Sequence, residues 1–443
     1  MENGTPQPLR LLPALLLATV AVAVGCGDGQ SRPERTPTAT GVPSTATPAP
    51  TATAQPPTPA ARGANVVVFQ TDGGTVEVNT ITGEARAIMG SLKDMYYIPS
   101  PDGTKYAFAC ADDGSAYIGG EKANLCVWDS DGPSVPPVVT AAQFVRPGTL
   151  EDEQLGSMQG GWSPDGRLFA FLVHRLEADS GDVYVFDFDT GGVTRVIEGG
   201  VAELWGPMKW SPDGTRFAVR RTPRSGPDDS LLIADVARAS AEIVRGTTQG
   251  VSGIEQYEWS MDGGRLAFVQ NQGLYTVTAD GTSVQSLGAA WGGTAPAWSP
   301  DGQWIAVSRA EARFAQAYAV RSDGSREVAL APALPASDNV AWSPDSALVA
   351  FKGSESGEFN DRGLYVSGVD GGVPRLLTED PPLATFPLIF WGEDGAHIFY
   401  TADAGPCREG CPPGFLYMIA ADGSGAPQRI TDTPVYQILG WRP

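Results

Sequence analysis

The chain has 443 residues, of which 54 are glycine and 37 are proline, and its formal net charge is −21. This length suits two or three ordinary domains or one large repeat domain, and the glycine and proline content is typical of a turn-rich all-β protein. The acidity argues against a nucleic-acid partner, because phosphate binding needs a basic surface. It indicates instead a large exposed surface that charge keeps soluble.

The N-terminal segment has the pattern of a bacterial secretion signal. Residues 11–24 are apolar with one exception; this run is too short to span a bilayer but suits the apolar region of a signal peptide. It ends Ala-Val-Gly-Cys at Cys26, which resembles the lipobox of bacterial lipoproteins, although leucine is usual where Ala23 stands. The resemblance implies a lipoprotein signal peptide at residues 1–25 and acylation of Cys26, which would anchor the chain in the membrane. Cleavage after Ala23 without a lipid is the alternative.

Residues 26–63 are expected to form a stalk that begins at the lipidated cysteine. Most residues between 31 and 60 are proline, threonine, alanine or serine, and such a composition cannot bury enough apolar surface to offset the entropy of ordering. The prolines favour an extended, semi-rigid spacer. Whether its threonines carry O-linked glycans stays open.

A five-residue phrase recurs through the remainder of the chain, residues 64–443, and predicts its fold. The phrase Trp-Ser-Pro-Asp-Gly and its looser copies begin at Pro99, Trp162, Trp210, Trp259, Trp298, Trp342, Trp391 and Trp441. Proline at the first central position and glycine in the left-handed position give a tight hairpin turn, and the aspartate can bond nearby amides. Repetition at this spacing predicts an array of similar antiparallel sheets.

Each repeat supplies four short strands, which is one blade of a β-propeller. The strand pair 363–367 and 374–378 illustrates the third and fourth strands of a blade. We therefore predict an all-β fold, a single propeller of four-stranded antiparallel blades, with eight blades and seven as the alternative. Residues 66–70, 75–80 and 85–89 supply three strands of the first blade. The C-terminal strand, 435–440, would join them as the missing innermost strand and close the ring, which removes open sheet edges.

The tryptophans and aspartates of the phrase each allow two interpretations. The tryptophans could stack on sugars, but their recurrence at one point of each blade favours packing between neighbouring sheets. The aspartates could bind calcium, but their short spacing favours turn caps. Neither 187–189 nor 129–132 completes a calcium-binding loop. No metal and no cofactor are expected.

With strand, turn and blade assembled, the repeats resemble the WD40-like repeats of the TolB propeller and of the propellers in prolyl oligopeptidase and dipeptidyl-peptidase relatives. The resemblance covers nearly all of 64–443 and implies the fold, not an activity. TolB has six blades and an additional α/β domain. The peptidases add an α/β-hydrolase domain with a Gly-x-Ser-x-Gly elbow; this sequence lacks that motif, so their chemistry is not expected here.

Five cysteines are present. With Cys26 acylated, four remain in an oxidising compartment, where we predict two local disulfides. Cys110 and Cys126 would meet across a hairpin, and Cys407 and Cys411 would pair within one loop. A metal site or a redox role is the alternative for the second pair.

Recognition is expected on the face where the loops after the second and fourth strands gather, because rigid blades position variable loops there. Its basic side chains could hold an anionic ligand, but local pairing with acidic neighbours such as Glu311 is favoured. The candidate residues of this binding face are Arg175, Glu203, Trp205, Arg220, Arg221, Glu255, Tyr257, Trp291, Arg309, Lys352 and Arg408.

These features favour a non-catalytic module in the bacterial cell envelope, extracytoplasmic, monomeric and displayed on a lipid-anchored stalk. It would bind a protein or polysaccharide partner. One alternative is a lyase or glycan hydrolase that uses paired carboxylates, with Glu203 and Glu255 as candidates. Another is a component of a TolB-like envelope complex. His174 and His397 are the only histidines, and neither is expected to be catalytic.

Overall fold

The structure is a computed structural model. It describes residues 66–442 except 72–73, 80–84, 91–96, 102–104, 111–123, 130–152, 155–159, 176–179, 202–207, 222–229, 245–253, 291–294, 312–313, 335, 357–361, 385–387, 393, 403–413, 432–434 and 436. These residues lie in one compact unit, Gln55–Pro443. Within them every element is a β-strand, and none forms a helix able to cross a bilayer. The predicted all-β class is confirmed.

The strands of the first half of the chain are short, as blades require. In order they are β1 (Val66–Thr71), β2 (Gly74–Asn79), β3 (Ala85–Gly90), β4 (Tyr97–Pro99), β5 (Lys105–Cys110), β6 (Asn124–Asp129), β7 (Glu153–Gln154), β8 (Gly160–Trp162), β9 (Leu168–Arg175), β10 (Ser180–Asp187), β11 (Gly192–Val201), β12 (Lys209–Trp210), β13 (Arg216–Arg221), β14 (Ser230–Asp235) and β15 (Ser240–Ile243).

The second half continues the same pattern. Its strands are β16 (Ile254–Trp259), β17 (Arg265–Gln270), β18 (Gly273–Thr278), β19 (Val284–Ala289), β20 (Ala297–Trp298), β21 (Trp304–Glu311), β22 (Phe314–Arg321), β23 (Glu327–Ala329), β24 (Ala336–Trp342), β25 (Leu348–Ser354), β26 (Gly363–Gly368), β27 (Arg375–Thr378), β28 (Ile389–Trp391), β29 (His397–Ala402), β30 (Phe415–Ala420), β31 (Gln428–Arg429) and β32 (Gln437–Arg442).

The described strands form eight sheets, and every strand pair is antiparallel. Six sheets have the predicted four strands, while β4–β6 forms a sheet of three and β7–β11 a sheet of five. The fifth strand arises because two short strands share one partner: β7 pairs with the His174–Arg175 end of β9, and β8 with Phe169–Phe171. The first sheet has the order β3-β2-β1-β32, so it combines strands from both ends of residues 64–443.

The hydrophobic core is divided among clusters, most of which lie between consecutive sheets. Phe217 of β13 packs in one cluster with Leu172 of β9, and Phe351 of β25 packs in another with Ala319 of β22. Middle strands are therefore buried on both faces and read as nearly continuous apolar runs, such as Leu231–Ile233. This packing makes each sheet dependent on its two neighbours.

The motif tryptophans join each sheet to the one before it. Each indole N–H donates to the backbone carbonyl of the residue just before the preceding copy's first position. Trp210 bonds to Gly161 O at 2.8 Å and Trp259 to Lys209 O at 2.8 Å. Trp162, Trp298, Trp342 and Trp391 repeat the contact with Ile98, Glu258, Ala297 and Ala341. All six indoles are buried, which confirms the packing interpretation.

The serine and aspartate of the phrase cap the hairpin turn. Ser260 Oγ donates to Asp262 Oδ1 at 2.6 Å and accepts the Arg265 N–H at 2.9 Å, while Asp262 Oδ1 accepts the Gly264 N–H at 2.9 Å. Gly263 has the left-handed φ of 67° that the turn needs. The same serine–aspartate bond recurs at Ser163, Ser211, Ser299 and Ser343. These bonds confirm the turn-cap interpretation of the aspartates.

This cap should make stability depend on acidic pH. The hydrogen bond from Ser260 lowers the pKa of Asp262 below its usual 3.8, against an opposing effect of burial. A carboxyl with a depressed folded-state pKa stabilises the protein above about pH 4 and loses that effect as the pH falls through its folded pKa. We expect Asp262→Asn to lower the free energy of unfolding at pH 7 by less than about 1 kcal/mol, since this carboxyl is exposed.

The difference from the wild type should shrink as the pH falls below about 4, as measured by urea unfolding at pH 7 and at pH 2.5. Ser260→Ala removes the same bond and also the bond from the Arg265 N–H, which does not depend on the carboxylate. Its difference from wild type should therefore narrow at low pH without closing. A gap between wild type and Asp262→Asn that stays constant from pH 7 to 2.5 would contradict this assignment.

Candidate binding face

Each sheet has two ends, which we call the turn face and the loop face. The turns between first and second and between third and fourth strands lie at the turn face; the remaining connections lie at the loop face. Neighbouring turn phrases touch: a Cβ on Gly263 would lie 3.6 Å from Pro212 Cδ. Ser346, at the glycine position with φ 62°, accepts the Asp301 N–H at 3.0 Å. The turn ends of successive sheets therefore lie on the same side.

Much of the predicted binding face lies outside the described residues. Glu203, Trp205, Trp291 and Arg408 fall there, as do Cys26, Cys407 and Cys411. Arg175 and Glu255, with His174, belong to the described strands β9 and β16, but their side chains are not described. The carboxylate pair Glu203 and Glu255 and the disulfide Cys407–Cys411 therefore stay predictions.

Arg309 lies two residues before the loop-face end of β21 and is held by an ion pair. Its Nη1 donates to Glu327 Oε1 at 2.9 Å, its Nη2 contacts Glu327 Oε2, and its Nε donates to Ala289 O at 3.2 Å. The guanidinium carbon lies 4.3 Å from the centre of the Tyr318 ring. Local pairing was the favoured interpretation for the basic residues, but the partner is Glu327 of the fourth strand instead of Glu311.

Tyr257 is a core residue. It lies in strand β16 instead of a loop, is 5% exposed, and packs in a cluster with Ile254 and Phe268. Burial raises the pKa of its hydroxyl to about 12, an effect that the Arg220 backbone and charge partly oppose. Side chains two residues apart share one side of a strand, so Tyr257 packs on the same side as Trp259.

Arg221 and Lys352 bring positive charge to the loop face from two different sheets. Arg221 is the last residue of β13 and faces Ser230 across the hairpin. Lys352 lies two residues before the end of β25, between Leu364 and Asp338 in register. Both side chains are partly exposed, as is that of Arg220. Together with Arg309, they are the described basic members of the predicted face with partly exposed side chains.

An ion pair between first strands was not foreseen from the sequence. Lys209 Nζ lies 2.7 Å from Glu258 Oε2, and both side chains are 34% exposed. The two residues occupy the same position in consecutive sheets, each directly before a motif tryptophan. That shared position, lysine in one repeat and glutamate in the next, is the signal by which the pair could have been found.

The acidic sequence 187–189 holds a guanidinium. Arg167 Nη2 lies 2.8 Å from Asp187 Oδ2, and Arg167 Nε lies 3.2 Å from Asp189 Oδ2. The hydrogen bond from Arg167 lowers the pKa of Asp187 to about 2. Within the described part of the chain, no group of three or more histidine, cysteine, aspartate or glutamate side chains is arranged to hold a metal ion.

Cys110 and Cys126 form the predicted disulfide between β5 and β6. Their Cα atoms lie 5.8 Å apart, and both side chains are fully buried. The strands pair antiparallel with Cys126 opposite Phe108, so the bridge crosses the hairpin diagonally. This sheet is the three-stranded one, and the disulfide adds a covalent connection to its pairing.

The fold and its capped, tryptophan-linked sheets define a β-propeller scaffold, and comparisons with known proteins agree. Dipeptidyl peptidase 4 of Porphyromonas gingivalis superposes with a TM-score of 0.54 at 14% identity, covering 85% of this chain and 60% of that one. A eukaryotic initiation factor gives 0.50 at 15% identity, covering 86% and 99%. At these identities the likeness shows the fold alone. TolB of Acinetobacter baumannii reaches only 0.36.

No family model matches the sequence. The uncharacterized protein Atu1656 of Agrobacterium fabrum is 28% identical over 180 residues, which is 36% of this chain and 57% of that protein. The chain thus spans little more than half of this relative's length.

Proposed function

We propose that this chain is the propeller head of an envelope lipoprotein, which binds a protein or polysaccharide partner through its loop face without catalysing a reaction. The proposal rests on where the side chains of the repeated phrase form their hydrogen bonds. Its tryptophans, serines and aspartates all bond within the scaffold. Recognition is thereby left to the connecting loops, which a rigid scaffold positions well.

We further propose that the eight sheets are eight blades of one closed ring. The pairing of β32 with β1 supports closure, because it gives the first sheet its fourth strand. A ring removes the open edges that would otherwise favour aggregation.

The proposed location is extracytoplasmic. Residues 1–25 would be removed and Cys26 acylated, and the stalk would hold the head away from the membrane. The Cys110–Cys126 disulfide supports this location, because disulfides persist in oxidising compartments. Acylation gives the membrane contact, and a monomer is the simplest form that presents one loop face.

Binding to isolated native envelope tests the function. The full chain is titrated against the envelope's protein fraction and against its protease-treated polysaccharide fraction. The loop-face variant Arg221→Gln/Lys352→Gln should bind several-fold more weakly than wild type. The control variant Arg216→Gln/Arg238→Gln also removes two positive charges, but from the turn face, where both arginines lie beside Asp235. It should bind normally.

Absence of saturable binding, or equal weakening in both variants, would contradict the loop-face proposal. Release of new reducing ends or unsaturated sugars from the polysaccharide fraction would replace it with an enzyme.

A further inference from the structure

At the turn end, one sheet differs from two others in the residue pair at the same register position. Where β13 pairs with β14, Arg216 faces Asp235, and where β5 pairs with β6, Lys105 faces Asp129. A basic second strand thus meets an acidic third strand. At the same register of the β20–β23 sheet, Trp304 faces a basic residue, Arg321. The charge on the third strand is reversed there.

A second arginine stands beside the first. The Arg321 N–H donates to Arg326 O at 2.8 Å, so the two residues are neighbours across the turn between third and fourth strands. Their guanidinium carbons lie 5.0 and 5.8 Å from the centre of the Trp304 ring. Trp304 is 8% exposed and packs in the core. The indole gives both guanidinium groups a fixed support through cation–π attraction.

Neither guanidinium is neutralised by a carboxylate within 4.0 Å among the residues that the structure describes. Arg321 Nη1 donates to the amide oxygen of Gln303 at 2.7 Å. The nearest acidic residues in sequence have other partners. Glu327 holds Arg309, and Asp323 accepts Ser325 Oγ at 2.6 Å, a bond that lowers the Asp323 pKa with a smaller contribution from the charge of Arg321.

Two adjacent cations without a close anion are unfavourable across neighbouring strands. They are also unexpected in a chain of charge −21. On the same face, Arg167 by contrast lies against the carboxylate of Asp187. An anion from outside the chain would stabilise these two guanidinium groups. A phosphate group offers more acceptor oxygens than a carboxylate and carries more negative charge near neutral pH, so it suits two guanidinium groups better.

We propose that Arg321 and Arg326, supported by Trp304, form a phosphate-binding site on the turn face. The ligand is a phosphate group, either of a soluble phosphorylated molecule or of a lipid headgroup. Arginine suits this role because its planar fork matches phosphate oxygens. The site lies on the opposite face from the proposed partner-binding loops, so either proposal can fail without the other.

Titration calorimetry with inorganic phosphate at low ionic strength tests the site on the full chain. The double variant Arg321→Gln/Arg326→Gln should bind phosphate at least about tenfold more weakly than wild type, because it loses the charge-assisted bonds. The matched control Arg216→Gln/Arg238→Gln removes the same charge from the same face and should bind within about twofold of wild type. No phosphate binding by wild type, or equal binding by the Arg321→Gln/Arg326→Gln variant, would overturn the proposal.

A second arm identifies the source of the phosphate. In a Cys26→Ser background, which removes the lipid anchor, the chain is mixed with phosphatidylglycerol vesicles or with uncharged glycolipid vesicles. Retention on the phosphatidylglycerol vesicles that depends on Arg321 and Arg326 assigns a membrane headgroup. Binding of inorganic phosphate without such retention assigns a soluble phosphorylated ligand.

Discussion

Replacing Trp210 with alanine should lower the free energy of unfolding by about 3–5 kcal/mol, the range for a large buried aromatic side chain. Trp210 packs between consecutive sheets and donates to Gly161 O. Its removal leaves a cavity and a carbonyl without its partner, and it weakens two sheets together. Trp210→Phe keeps most of the apolar area but loses the hydrogen bond, so it should cost about 1–3 kcal/mol.

Urea unfolding followed by tryptophan fluorescence and circular dichroism measures both values. Met261→Ala, at the third position of a turn phrase and 59% exposed, is the control and should change stability by less than about 0.5 kcal/mol. A loss below about 1 kcal/mol for Trp210→Ala would show that the indole is not a structural connection.

Loss of the Cys110–Cys126 disulfide should cost about 2–4 kcal/mol. The two cysteines are 16 residues apart, and closing a loop of that size restricts the unfolded chain by about 3 kcal/mol. Because both positions are fully buried, Cys110→Ala/Cys126→Ala avoids placing polar groups in the core. Urea unfolding of this variant is compared with that of wild type, each with and without reductant.

Wild type should lose stability on reduction, while the alanine variant should already be destabilised. Any further loss that reductant causes in the variant reports on the second predicted disulfide, Cys407–Cys411. A wild type whose unfolding midpoint is the same with and without reductant would contradict the stabilising role of Cys110–Cys126.

The repeated architecture could be predicted because its signals are local. The turn phrase defines the hairpin through proline, aspartate and glycine chemistry, and the third and fourth strands predicted at 363–367 and 374–378 lie at β26 and β27. The terminal strand β32 pairs with β1, close to where the sequence placed the missing strand. The tryptophans were expected to pack between neighbouring sheets, but the carbonyl that accepts each indole N–H depends on how adjacent sheets are offset.

Side-chain partners at the loop face were harder to predict, because they depend on register between strands. Arg309 pairs with Glu327, 18 residues away on the fourth strand, whereas the sequence suggested the adjacent Glu311. Tyr257 was placed on the loop face, yet it lies within β16, which begins at Ile254, and is buried. The proximity of Arg321 and Arg326 to Trp304 follows only from the register of three paired strands.

The repeated tryptophans build the scaffold, and the loop face is proposed to recognise the partner. The most direct test of this division of roles is the affinity of folded Trp210→Phe for native envelope, measured at a temperature where this variant is fully folded. Affinity equal to that of wild type, beside weakened binding by Arg221→Gln/Lys352→Gln, is the predicted result. Weakening by Trp210→Phe as large as that of the loop-face variant would contradict the claim and make the tryptophan a ligand contact.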